Sequence, residues 1–215
     1  MLLVSGCGRI RTTAAMIPTE NHDNRPAPAL LHTTELNQHI LTTIQDVQIA
    51  GTDANQAVWT ANTLIIDIVR LVKSTQYGST LHLNKAEKSF NEVKKATSVV
   101  NKSVDQALTM LGRAITSVMA EKSSKGNSLA NLIYPRLHEL TKHLTDAQKL
   151  VQKVHEEVQL YYKESIVARK TRTRAEDFSK IHLASVNNCQ RIGYIDNHIE
   201  NCCKKLKRYI ELYCK

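Results

Sequence analysis

From Leu36 almost to its end, the chain repeats apolar residues at alternating steps of three and four. A helix turns once in about 3.6 residues, so this spacing returns each apolar side chain to one face. A half-buried strand needs a step of two between turn signals, and no segment sustains it. The first seam runs from Leu36 through Ile44, Gly51, Val58 and Ile65 to Val72, and the second from Ala86 through Val93, Thr97, Val104 and Leu111 to Val118. The third runs from Leu129 through Leu137, Leu144, Val151 and Val158 to Ala168, and the fourth from Phe178 through Ser185, Ile192, Ile195 and Cys202 to Tyr213. Four stripes of this length predict four helices of about 60 Å each, side by side. The expected fold is all-α, an elongated antiparallel four-helix bundle over residues 34–215 with heptad-patterned helices. Scarce Gly (7), Pro (4) and aromatic residues (5%) agree with it. Ile65, Leu111, Leu144 and Ile195 are expected to be fully buried, with Lys95 and Gln148 at the surface.

Three breaks are expected, near residues 76–84, 122–128 and 169–175. Gly78 stops the first helix, and Asn84 with Glu87 reads as a capping box for the second. Gly126 leaves the second helix, with Asn127 or Ser128 to cap the third. The last break has no Gly or Pro and rests on Thr173 and Glu176 as a further capping box. Pro135 falls early in the third helix or kinks it. Residues 1–33 hold Pro18, Pro26 and Pro28 and show no apolar period, so they are expected to form a disordered tether.

The formal charge is +9, from 29 Lys and Arg against 20 Asp and Glu, which favours phosphate, lipid headgroups or acidic proteins as partners. No run of apolar residues is long enough for a membrane-spanning helix. Lys204, Lys205, Lys207 and Arg208 form one basic cluster, expected to contact an anionic surface. Arg169, Lys170, Arg172 and Arg174 form another at the third junction, a candidate partner-binding tip. Neither is accompanied by a nucleic-acid signature or by aromatic residues to stack bases, so nucleic acid is disfavoured.

The cysteines Cys7, Cys189, Cys202, Cys203 and Cys214 are odd in number and lack a CxxC pair. On one helix Cys189 and Cys203 stand roughly 21 Å apart, too far for a disulfide, and the buried-seam reading suits them better. His198 and Cys202 are four residues apart, and antiparallel pairing about the third junction brings His143 near them. That is three ligands at most, so no metal is expected. No phosphate-binding loop, nucleophile elbow or Glu-x-x-His pair occurs, and the chain reads as a non-enzyme without a cofactor.

Val4, Ser5, Gly6 and Cys7 resemble the lipobox of bacterial lipoproteins, in which an aliphatic residue and small residues precede the cysteine that is acylated. The resemblance implies a lipid anchor at Cys7, with the proline-bearing segment after it as a spacer. Lipoprotein signals also carry a basic region and a longer apolar region. Only Met1 to Val4 precede the small residues, so this reading expects further coding sequence upstream of Met1. The expected function is that of a cell-envelope protein acting on a protein partner, with an anionic membrane surface and self-association as further contacts. The competing expectation is an intracellular coiled-coil scaffold or a secreted effector with Cys7 unmodified.

Overall fold

The computed structural model describes residues 28–73, 79–125, 128–171 and 176–213. They form α1 (Pro28–Lys73), α2 (Ser79–Lys125), α3 (Ser128–Thr171) and α4 (Glu176–Tyr213), with no strand among the described residues. The fold is an all-α four-helix bundle. At 46, 47, 44 and 38 residues the helices are about 57 to 70 Å long.

Two boundaries differ from the sequence reading. α1 begins at Pro28, six residues before the expected start of the bundle at residue 34, because proline fits the first turn, where its missing N–H has no partner to lose. Residues 1–27 lie outside the described residues. α2 begins at Ser79, so Asn84 and Glu87 are exposed residues inside the helix and form no cap at its start. Nothing between Ser79 and Asn84 breaks a helix, and the chain winds through. α3 starts at Ser128, as the second turn signal implies, while Thr173 of the third lies outside the described residues. Pro135 sits in the interior of α3 on its exposed side; its ring nitrogen leaves the Asn131 carbonyl without an intrahelical donor, and the helix continues.

The core follows the seams. Ile44, Ile65, Ile68, Leu111, Leu137, Leu140, Leu144 and Ile192 are almost wholly enclosed. Ile195 is only partly buried, contrary to expectation, because it lines an open groove between α3 and α4. α1 buries a second column that the single-seam reading omits: Ala50, Ala57, Leu64 and Leu71. α1 and α3 each pack against all three other helices, whereas α2 and α4 do not meet among the described residues, and α1 packs most extensively, above all against α2. The small side chains of Ala50, Gly51, Ala54, Ala57 and Ala61 suit that central place. A Cβ on Gly51 would stand 3.1 Å from Asp196 Oδ1 and 3.3 Å from Ile199 Cδ1, so α1 and α4 approach closely there.

Four of the five contacting pairs of helices also share a polar contact. Ser89 donates to Asp67 (2.7 Å) between α1 and α2, and Thr97 meets His155 Nδ1 (3.2 Å) between α2 and α3. Asn188 donates to Glu157 (3.5 Å) between α3 and α4, and Asn55 donates to Asp196 (2.8 Å) between α1 and α4. Phe90 of α2 stacks on Tyr162 of α3 with ring centres 4.3 Å apart.

Candidate functional site

In the last turns of α4 the core takes Ile199, Cys202, Cys203, Leu206 and Ile210, and the residues between them must turn outward. Lys204, Lys205 and Arg208 are exposed and Lys207 is half-buried. Two of these cations are engaged within the fold: Lys204 Nζ lies 2.7 Å from Glu200 Oε1, and Lys207 Nζ donates to Gln48 Oε1 of α1 at 3.0 Å. The antiparallel course of the chain sets the end of α4 beside the start of α3 and the first half of α1. Cys7, Arg172 and Arg174 lie outside the described residues. Of Arg169 and Lys170 only the helical backbone in the last turn of α3 is described.

His143 and His198 come together as the sequence implies, their rings stacked 5.0 Å apart at 18°. Glu139 is held below the ordinary carboxylate range, first by a hydrogen bond from Arg136, whose Nη1 lies 2.6 Å from Glu139 Oε2. His143 Nε2 is 4.0 Å from the other Glu139 oxygen. Burial, and secondly the neighbouring His198, push the His143 pKa down. Cys202 Sγ donates to the Arg136 carbonyl at 3.4 Å and is 3.8 Å from Glu139 Oε2. Burial raises the Cys202 thiol to about 12, and Cys203 likewise to about 12, so neither is a thiolate at neutral pH. Among the described residues no group of three or more His, Cys, Asp or Glu is placed to hold a metal ion.

A groove of about 710 Å³ lies between α3 and α4, where Lys149, Lys153, Arg191 and Tyr194 surround Leu150 and Ile195. It is open along the bundle rather than enclosed. A second surface was not anticipated from the sequence. The outward face of α1 consists of two columns, Glu35, Thr42, Ile49, Gln56, Thr63, Arg70 and Gln38, Gln45, Thr52, Trp59, Ile66, Lys73. All are exposed except the half-buried Ile66. Ile49 and Trp59, the only tryptophan, are 54% and 55% exposed, and no charge interrupts either column from Gln38 to Ile66. Its signal is present in the sequence as the absence of any Lys or Arg between Arg25 and Arg70, in a chain otherwise rich in both.

No helix among the described residues is long and apolar enough to cross a membrane. Comparison with known protein families, with curated proteins and with solved structures gives no match.

Proposed function

We propose that this protein is a non-catalytic helical bundle of the cell envelope that acts through protein–protein interaction, held by lipid at Cys7 with a basic end towards anionic headgroups. The observation that carries the proposal is the exposure of Lys204, Lys205 and Arg208 on the last turns of α4. They lie in the half of the bundle that holds the first half of α1, level with Gln48, and so towards the end to which the Cys7 segment connects. Each cation near an anionic membrane adds about 1 kcal/mol of attraction, which salt screens. A covalent lipid adds about 0.8 kcal/mol per buried methylene, which salt leaves intact. The open grooves and the uncharged face of α1 suit docking to a protein better than enclosing a substrate.

Two measurements test the reading. Expressed from its own gene, the wild type is expected to incorporate a fatty-acid analogue and to stay with membranes in high salt, while Cys7→Ser does neither. Replacing Lys204, Lys205 and Arg208 together by Glu is expected to abolish low-salt binding of the unacylated chain to phosphatidylglycerol-rich vesicles. A wild type that takes no label and stays in the soluble fraction at low salt overturns the anchor and leaves an unanchored scaffold.

A further inference from the structure

The outward face of α1 has the layout of a helix seam on which nothing packs among the described residues. Its two columns alternate at steps of three and four from Glu35 to Lys73, the spacing that lets one helix lie along another. The other helices surround α1 on its remaining sides, so an occupant of this face must come from outside the described bundle. We propose that the occupant is a second copy of this chain, its α1 antiparallel to the first about a two-fold axis between Thr52 and Gln56.

The order of side chains carries this assignment. Antiparallel helices bring one column of the first chain opposite the other column of the second. With the axis between Thr52 and Gln56, Ile49 meets Trp59 of the second copy, and Trp59 meets its Ile49. Thr42 faces Ile66, and Glu35 at one end of the face lies opposite Lys73 at the other. The face is thus complementary to itself, apolar on both sides of its centre and oppositely charged at its two ends, as a two-fold interface requires. A parallel pairing would instead set Glu35 against Glu35 and Arg70 against Arg70.

The threonines of this face are cheap to desolvate. The hydroxyls of Thr42, Thr52 and Thr63 donate to the carbonyls of Gln38, Gln48 and Trp59 of their own helix, at 3.0, 3.0 and 3.2 Å. They need no partner across the interface and can present their methyl groups to it. A strip about 57 Å long and roughly 10 Å wide buries on the order of 600 Å² per copy, at the lower end of specific interfaces. From Gln38 to Ile66 the two columns of this face carry no charge, so two copies meet along its centre without like-charge repulsion. The charge nearest the axis is Asp53, half-buried in the groove between α1 and α2 that Lys95 also lines.

Sedimentation of the full chain tests the proposal. The expected species has about twice the 24.2 kDa mass of one chain, and dilution to monomer should shift Trp59 emission to the red. Trp59→Lys should weaken association about thirtyfold or more, as loss of a central aromatic anchor does, while leaving helicity unchanged because the side chain is exposed. Orientation is read by cross-linking in a Cys7→Ser, Cys214→Ser background. A mixture of Ile49→Cys and Trp59→Cys chains should form a disulfide-linked pair, and neither alone should, since like positions stand about 15 Å apart along the axis. A wild type of single-chain mass at high concentration, a Trp59→Lys protein that remains dimeric, or self-linking of either single variant overturns the assignment.

Discussion

Replacing Gly51 by Ala should weaken the bundle, although the same change elsewhere in its helices should strengthen it. Glycine inside a helix is disfavoured by about 1 kcal/mol relative to alanine, because the unfolded chain has more freedom to lose. At Gly112 and Gly193 a new Cβ meets nothing within 4 Å, so Gly112→Ala and Gly193→Ala should each gain most of that amount. At Gly51 the methyl group would lie 3.1 Å from Asp196 Oδ1 and 3.3 and 3.5 Å from two carbons of Ile199. Ile199 is buried and stiff at its β-branch, and the Asp196 carboxylate is tied to Asn55 through its other oxygen at 2.8 Å. Overpacking of this kind costs about 1 to 3 kcal/mol, which exceeds the propensity gain. The net expectation is a loss of about 1 kcal/mol, so that Gly51→Ala and Gly112→Ala differ by about 2 kcal/mol. Urea titrations followed by circular dichroism, with unchanged m-values, measure the difference. Equal stabilisation by the two substitutions would refute the close approach of α1 to α4 at Gly51.

Three further outcomes follow from the core and its titratable groups. Leu111→Ala and Leu144→Ala, at fully enclosed positions, should each cost about 2 to 5 kcal/mol, whereas Ile195→Ala in its open groove should cost less and Lys95→Ala almost nothing; comparable losses at Leu144 and Lys95 in denaturant titrations would mean that the seam is misassigned. Burial, the largest cause at both His143 and His155, lowers their folded pKa values below the ordinary histidine value of about 6.5. The unfolded chain then binds protons more readily, so stability is full above that value and declines as pH falls through the folded values; Glu139, also lowered, extends the decline into the carboxylate range. Thermal midpoints taken from pH 7 downwards should fall, and a His143→Gln, His155→Gln protein should show a shallower slope; an identical slope would exclude these rings as the cause. Cys202 and Cys203, with pKa values of about 12, and the buried Cys189 should react with Ellman's reagent only after denaturation, and prompt native labelling of all three would contradict their burial.

The bundle was legible because each helix repeats a seam from end to end, and a repeat survives local exceptions. Ser185, Asn188 and Thr97 occupy seam positions and are buried there in spite of their polarity. The boundaries were harder, because a capping box is short: Asn84 and Glu87 match one by spacing alone, inside a helix that already began at Ser79. Ile195 and the column from Ala50 to Leu71 mark a different limit. How much of a helix is enclosed depends on how many neighbours it has, and a single stripe does not state that α1 touches three helices. The approach of His143 to His198 followed from antiparallel counting about the third junction, whereas the stacking of their rings is visible only in the structure. The outward face of α1 escaped notice because an uncharged column is visible only once the inward columns are known.

The polar contacts between neighbouring helices set a limit on sliding. Hydrophobic seams with a seven-residue repeat are nearly indifferent to a shift of one heptad, about 10.5 Å, since leucine then replaces leucine. Hydrogen-bonded pairs are not indifferent, because a displaced Asp67 or Asp196 would be left at an interface without Ser89 or Asn55 to meet it. With Thr97 on His155 and Asn188 on Glu157, four of the five helix interfaces have such a peg. Each helix takes part in two of the pegs, so none slips along the rod without losing both. The pegs penalise misaligned packings more than they deepen the aligned one, so a chain with Ser89→Ala and Asn55→Ala should keep its helicity while populating more than one axial alignment, visible as doubled amide resonances.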